Sequence, residues 1–195
     1  LELQTKSLGK FEEAVNSYKK AISIKPDYAE AHNNLGNALQ DHEKLDEAIE
    51  AYKTTISIKP DYAEAYYNLG NALQADRKFE EATEAYKEAI SIKPDYTDAY
   101  NNLGITLKDL GKLNEAIEAY NKALSIKPDY SKTHNNIGNA LRDQRKLEEA
   151  KEAYNKALSI KPDYAEALNN LGITLKEQGK FDEAIEAYNN ALSIK

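Results

Sequence analysis

No cysteine occurs in these 195 residues, so a disulfide framework, a thiolate metal site and a thiol nucleophile are all excluded. Long apolar runs are missing as well. The longest are a few residues, against the roughly 20 that a bilayer demands, and nothing in the segment reads as a secretory leader. These absences leave a cytoplasmic protein as the expectation. Positive charge is in deficit, with 26 Lys and Arg against 33 Asp and Glu, a net charge of -7 and a pI near 5.2. An acidic chain has no general attraction to phosphate backbones or anionic lipid, so neither nucleic acid nor membrane is an expected partner. Glycine and proline number only eight and five, and where they fall organises the rest.

All five prolines lie in the tetrapeptide Lys-Pro-Asp-Tyr, at 25–28, 59–62, 93–96, 127–130 and 161–164, always 34 residues apart. Internal repetition therefore orders the whole chain. Full copies occupy 29–62, 63–96, 97–130 and 131–164, a nearly complete one 165–195 and a partial one 1–28. No linker or shift in composition marks a second domain, so one array over 1–195 is expected.

Each copy reads as two helices. In the first, Ala31, His32, Leu35, Gly36 and Leu39 follow the spacing of one helical face; in the second, Leu45, Ala48, Ile49, Tyr52, Thr55 and Ile56 do the same. Between them Gly9, Gly111 and Gly179 suit a left-handed helix end, while Glu43, Arg77 and Arg145 hold that place in other copies, at a cost of about 1 kcal/mol each if the backbone is left-handed. Lys-Pro ends the second helix. Asp27, Asp61, Asp95 and Asp163, each followed three residues later by an acid, are expected to cap the next one. A pair of short helices cannot bury its apolar stripe alone, so the copies must stack as a solenoid.

Leu-Gly at the seventh and eighth residues, Ala at the twentieth (Ala48, Ala82, Ala116, Ala150, Ala184), an aromatic at the twenty-fourth (Tyr52, Tyr86, Tyr120, Tyr154, Tyr188) and Pro at the thirty-second resemble the tetratricopeptide repeat. The resemblance covers essentially the whole chain. It departs at the fourth residue (His32, Tyr66, Tyr100, His134, Leu168) and in the partial copy, where Glu2 stands in the glycine's place. What it implies is an all-α, right-handed superhelical solenoid with the first helices lining a concave wall, and a non-enzymatic role in protein or peptide recognition.

The residues themselves offer no catalytic constellation. His32, His42 and His134 have no Cys or second His at ligand spacing, and there is no phosphate-cradling glycine loop, nucleophile elbow or His-Glu-x-x-His. No cofactor or metal is expected.

The asparagines need a reason. Asn is roughly 0.5 kcal/mol worse than Ala in a helix interior, yet twelve stand in the first helices. At the sixth residue they are Asn34, Asn68, Asn102, Asn136 and Asn170; at the fifth Asn33, Asn101, Asn135 and Asn169, with Tyr67 between; at the ninth Asn37, Asn71 and Asn139. A helical wheel sets this stripe opposite the packing stripe. An amide ladder there would hydrogen-bond the backbone of an extended peptide with little regard to its side chains, and it resembles the asparagine ladder in the substrate-selecting arm of the O-linked N-acetylglucosamine transferases. The alternative at the sixth residue is that Asn bonds neighbouring backbone between copies. On the first reading, Asn102 and Asn136 changed to Ala would lose binding and keep the melting temperature.

The copy at 131–164 departs from the rest. Ser131 and Thr133 replace alanines, Lys132 replaces an acid and Lys151 an Ile or Val. Lys108, Arg142 and Lys176 form a basic row at the twelfth residue, suited either to a ligand's acidic end or to solvent. The fifth and sixth residues lack the Lys and Arg of the chaperone-tail clamp that the repeat family also carries, so that partner is not expected. Two further readings are a recognition arm of a larger enzyme and end-to-end self-assembly through apolar stripe residues such as Ile185, Leu192 and Ile194.

Overall fold

A computed structural model describes residues 2–194, with side chains described from Phe11 to Ile194. Among the described residues there is helix and no strand: α1 (Glu2–Ile24), α2 (Ala29–Asp41), α3 (Leu45–Ile58), α4 (Ala63–Ala75), α5 (Phe79–Ile92), α6 (Thr97–Asp109), α7 (Leu113–Ile126), α8 (Ser131–Asp143), α9 (Leu147–Ile160), α10 (Ala165–Glu177) and α11 (Phe181–Ser193). The all-α helical-repeat fold is the one the 34-residue spacing predicts. The chain divides into two compact units, Leu1–Ala99 and Tyr100–Lys195. In the first, α2 pairs with α3 and α4 with α5, and α1 packs on α2. In the second, α8 pairs with α9 and α10 with α11, with α7 against α8 and α9 against α10.

Within each hairpin a glycine lies against a tyrosine ring. A Cβ on Gly36 would stand 2.5 Å from Cε1 of Tyr52, and Gly70, Gly104, Gly138 and Gly172 meet Tyr86, Tyr120, Tyr154 and Tyr188 in the same way. Tyr52, Tyr86, Tyr120 and Tyr154 are fully buried, as are Ala48, Ala82, Ala116 and Ala150. A large ring filling the space left by a missing side chain gives the core its volume at interior packing density.

The turn inside each hairpin is left-handed, with φ of 59° at Glu43, 61° at Arg77, 63° at Arg145, 74° at Gly111 and 76° at Gly179. The Glu43 amide donates to Gln40 and the Lys44 amide to Leu39, at 2.9 and 3.0 Å, the paired bonds of a Schellman end. The partial copy behaves differently. α1 runs unbroken through Gly9, where the glycine pattern predicts a break. With Glu2 in the place of the small residue, a chain folded back there would have no seat for the Tyr18 ring.

The turns between hairpins depart from expectation as well. The residue entering the first helix is Tyr28, Tyr62, Tyr130 or Tyr164, with ψ near 85°, and no side chain caps it. The aspartate sits one residue too early to cap. Instead the turn closes through its backbone, the Tyr28 amide donating to the Lys25 carbonyl at 3.1 Å. The lysine then folds over the tyrosine ring in all five turns, from 4.7 Å at Lys59 and Tyr62 to 5.4 Å at Lys161 and Tyr164, within cation–π range.

Candidate functional site

Within each unit the first helices of successive copies lie side by side, and this decides where the asparagines go. Asn33, Asn101 and Asn135 are 1%, 5% and 0% exposed: the fifth-residue amides are wedged between neighbouring copies and do not face open space. Each accepts a hydrogen bond from the sixth-residue amide of the copy that follows. Asn68 Nδ2 donates to Asn33 Oδ1 at 3.2 Å, Asn136 Nδ2 to Asn101 Oδ1 at 3.1 Å, and Asn170 Nδ2 to Asn135 Oδ1 at 3.0 Å. The fifth-residue asparagines are therefore struts, which corrects the expectation that they line a recognition surface. Asn169 is exposed, and so is Asn34.

The ninth-residue asparagines are also committed. The buried Tyr52 hydroxyl lies 2.8 Å from Asn37 Oδ1 and 3.0 Å from Gln40 Oε1; Tyr86 reaches Asn71 and Gln74 at 2.8 and 2.9 Å, and Tyr154 reaches Asn139 at 2.8 Å. Burial pushes the Tyr154 phenol up to about 12 and raises Tyr52 well above its ordinary value, so these hydroxyls stay neutral donors. In the copy at 97–130, Ile105 and Lys108 take the places of Asn and Gln. There the Tyr120 hydroxyl is buried without a partner among the described residues.

The unusual copy at 131–164 is explained by the same network. One copy further on, an acid near the helix start serves the strut: Asn135 Nδ2 donates to Glu166 Oε1 at 3.0 Å, with the Tyr164 hydroxyl 3.5 Å from Oε2. Lys132 cannot accept. Instead the buried Thr133 donates to Asn101 Oδ1 at 2.9 Å, and Asn101 Nδ2 turns to Asn102 Oδ1 at 3.2 Å. Lys151 stands 3.6 Å from Glu183 of the next copy.

Of the basic residues, Lys108 pairs with Asp109 at 3.4 Å, Arg142 has Nη1 buried without a partner among the described residues, and Lys132 and Lys176 are exposed. Lys132 and Arg142 are at opposite ends of α8, about 15 Å apart at the helical rise. The four do not gather into one pocket. Tyr67 is partly exposed, its ring 4.9 Å from Tyr96 and 6.0 Å from Tyr86.

What remains available on the first helices is half of the Asn68 and Asn136 amides, since Asn170 is buried and Asn102 Oδ1 accepts from Asn101. Asn68 and Asn136 are partly exposed, and each commits its nitrogen to the preceding strut, Asn68 also to Asn37 Oδ1 at 3.1 Å. With the nitrogen directed into the copy interface, the carbonyl oxygen is directed away from it, ready to accept a hydrogen bond. The expectation that Asn136 could be lost without cost in melting does not survive this geometry. Among the described residues, no three His, Asp or Glu side chains are grouped to hold a metal ion, and no helix is long and apolar enough to cross a membrane.

Family models described as TPR repeat or tetratricopeptide repeat match residues 6–43, 41–76, 63–96, 97–130 and 129–195. No curated protein sequence matches. Among solved structures, that of MamA is 26% identical, with a TM-score of 0.74 over 81% of this chain and 92% of that one. YrrB, described as a TPR protein with an unusual peptide-binding site, is 23% identical, with a TM-score of 0.73 over 93% of each chain. PilF of Pseudomonas aeruginosa is 23% identical, with a TM-score of 0.79 over 95% of this chain and 84% of that one.

Proposed function

Because the chain belongs to the tetratricopeptide repeat family and its fold points to a protein–protein interaction scaffold, we propose that the first helices bind an extended peptide of a partner protein. The observation that carries this reading is the half-committed amide of Asn68 and Asn136, fixed through its nitrogen and partly exposed. A preset acceptor loses little rotamer entropy on binding, and it recognises a backbone N–H whatever side chain follows. Asn34 adds an exposed amide on α2. The fold needs no catalytic group for this role, and the residues supply none in a recognisable arrangement.

The test is a scan of a captured peptide. Peptides selected on the immobilised chain are remade with single N-methyl residues, which remove one backbone donor each, and separately with single alanines. Backbone recognition predicts that N-methylation at alternate residues weakens binding about tenfold, the worth of one hydrogen bond of about 1.4 kcal/mol, while most alanines change it little. An alanine scan dominated by one or two side chains, with N-methylation tolerated throughout, would count against it.

A further inference from the structure

At the twelfth residue of the first helix, the copies at 29–62 and 63–96 have Gln40 and Gln74, and the copy at 131–164 has Arg142. The glutamines accept from the buried Tyr52 and Tyr86 hydroxyls at 3.0 and 2.9 Å. An arginine has five donors and no acceptor, so it cannot take over that bond. It lies beside the Tyr154 phenol all the same: burial is the largest influence on that group and raises it, while the Arg142 charge and the Thr174 hydroxyl pull it back. Tyr154 thus reaches α8 through Asn139 and Arg142 and α10 through Thr174, which sets the guanidinium at the seam between these helices. Its Nη1 is out of solvent with no acceptor among the described residues, and no carboxylate there pairs with it. The acids of the thirteenth residue are engaged or turned away. Asp109 holds Lys108 at 3.4 Å, Glu177 holds Arg145 at 3.0 Å, and Asp143 is exposed about 100° further round the helix than Arg142. A guanidinium drawn part-way out of water without a counter-charge is a local loss, added here to the lost tyrosine bond. Lys176, at the same repeat position on α10, is exposed and also without an ion pair among the described residues.

Resting on the peptide-binding reading above, we infer that the ligand segment crossing α8 and α10 presents a carboxylate, received between the Arg142 guanidinium and the Lys176 ammonium. Packed helices have axes about 8–10 Å apart, and Asn170 ties α10 to α8 at 3.0 Å, so two long side chains at one repeat position can close on a single anion. A planar guanidinium matches a planar carboxylate. The second charge of a phosphate would be opposed by Asp143 and Glu177 at the same end of these helices. In the first unit Gln40 and Gln74 hold the position, and no cation is offered there.

Three probes separate the outcomes: a pentapeptide Ala-Ala-Glu-Ala-Ala blocked at both ends, the same peptide with glutamine, and the glutamine peptide with its C-terminal carboxylate left free. Each is titrated into the isotope-labelled 195-residue chain and followed through the Arg142 Nε signal and the backbone amides of residues 131–143 and 165–177. A carboxylate is expected to shift these signals and to tighten binding about fivefold over the blocked glutamine peptide. A gain by the glutamate peptide assigns the site to a ligand side chain, and a gain by the free-ended peptide to a chain end. Arg142→Gln, which restores the residue of the first unit and its bond to the tyrosine, should erase the gain and leave the melting temperature unchanged or higher. Lys176→Gln should reduce the gain by about half. A gain unchanged in Arg142→Gln, or no difference among the three peptides, binding by none of them included, would overturn the inference. The peptide-binding reading is then judged by captured peptides alone: it stands if they shift the first helices, and if none does it fails and takes the inference with it.

Discussion

Asn136 hands its amide nitrogen to Asn101 Oδ1 at 3.1 Å, so a residue that remains partly exposed also ties its copy to the preceding one. On the peptide-binding proposal, stability and recognition share an amide, and substitutions must be chosen to separate them.

Asn135 tests the strut alone. It is fully buried, accepts from Asn170 and donates to Glu166. Asn135→Ala should lower the unfolding free energy by about 2 kcal/mol, since it strands a buried donor. Asn169→Ala, at the same repeat position but exposed, should be neutral or gain a few tenths from better helix propensity. Urea denaturation of the two variants gives the comparison.

The buried phenols make a second contrast. Tyr52→Phe removes the partner of Asn37 and Gln40 and should cost about 1–2 kcal/mol. Tyr120→Phe deletes a hydroxyl that is buried without a partner among the described residues, so the midpoint should stay where it is or rise.

Alkaline titration follows from the same burial. The Tyr154 phenol is held at about 12 in the folded chain against 10.0 when free. Its contribution to stability is therefore fully present below pH 10 and is lost between pH 10 and about 12, as the unfolded chain loses its protons first. Absorbance of tyrosinate at equilibrium should rise together with loss of helical dichroism in that window, and later than in an unfolded control.

Thr133 and Lys132 should be coupled. Thr133→Ala removes the donor to Asn101 and should cost about 1 kcal/mol. Adding Lys132→Glu supplies an acceptor in the place Glu166 holds for Asn135, so the double variant should recover part of the loss, a coupling of at least about 0.5 kcal/mol in a double-mutant cycle.

The left-handed turns allow a gain. Arg77→Gly relieves a positive φ of 61° and should stabilise by about 0.5–1 kcal/mol after the entropy of the added glycine is counted. Gly179→Ala, at φ 76°, should do the reverse by about 1 kcal/mol.

The helices and their stacking were legible because period, glycine and proline all act locally. Gly111 and Gly179 marked left-handed ends, and Glu43, Arg77 and Arg145 took the same backbone, as their place in the 34-residue register required. The asparagines were misread where their partners are non-local. A helical wheel shows which side of one helix Asn33 is on, but not that Asn68, 35 residues on, closes over it. Nor did the tyrosine partners of the ninth-residue asparagines (Asn37 and Tyr52, Asn71 and Tyr86, Asn139 and Tyr154) stand out, because the same tyrosine recurs in the copies with Ile105 and Ile173. The aspartate caps failed for a simpler reason, since a Lys-Pro-Asp-Tyr turn that closes through its own backbone starts the helix one residue later than a capping box would.

The side-chain NH2 signals of the asparagines test the central claim most directly, read from a titration of the labelled chain with a captured peptide. The account predicts that Asn68 and Asn136 shift on binding while the buried struts Asn33 and Asn135 keep their positions. A footprint confined to the second helices α3, α5, α7, α9 and α11, with Asn68 and Asn136 unmoved, would contradict it.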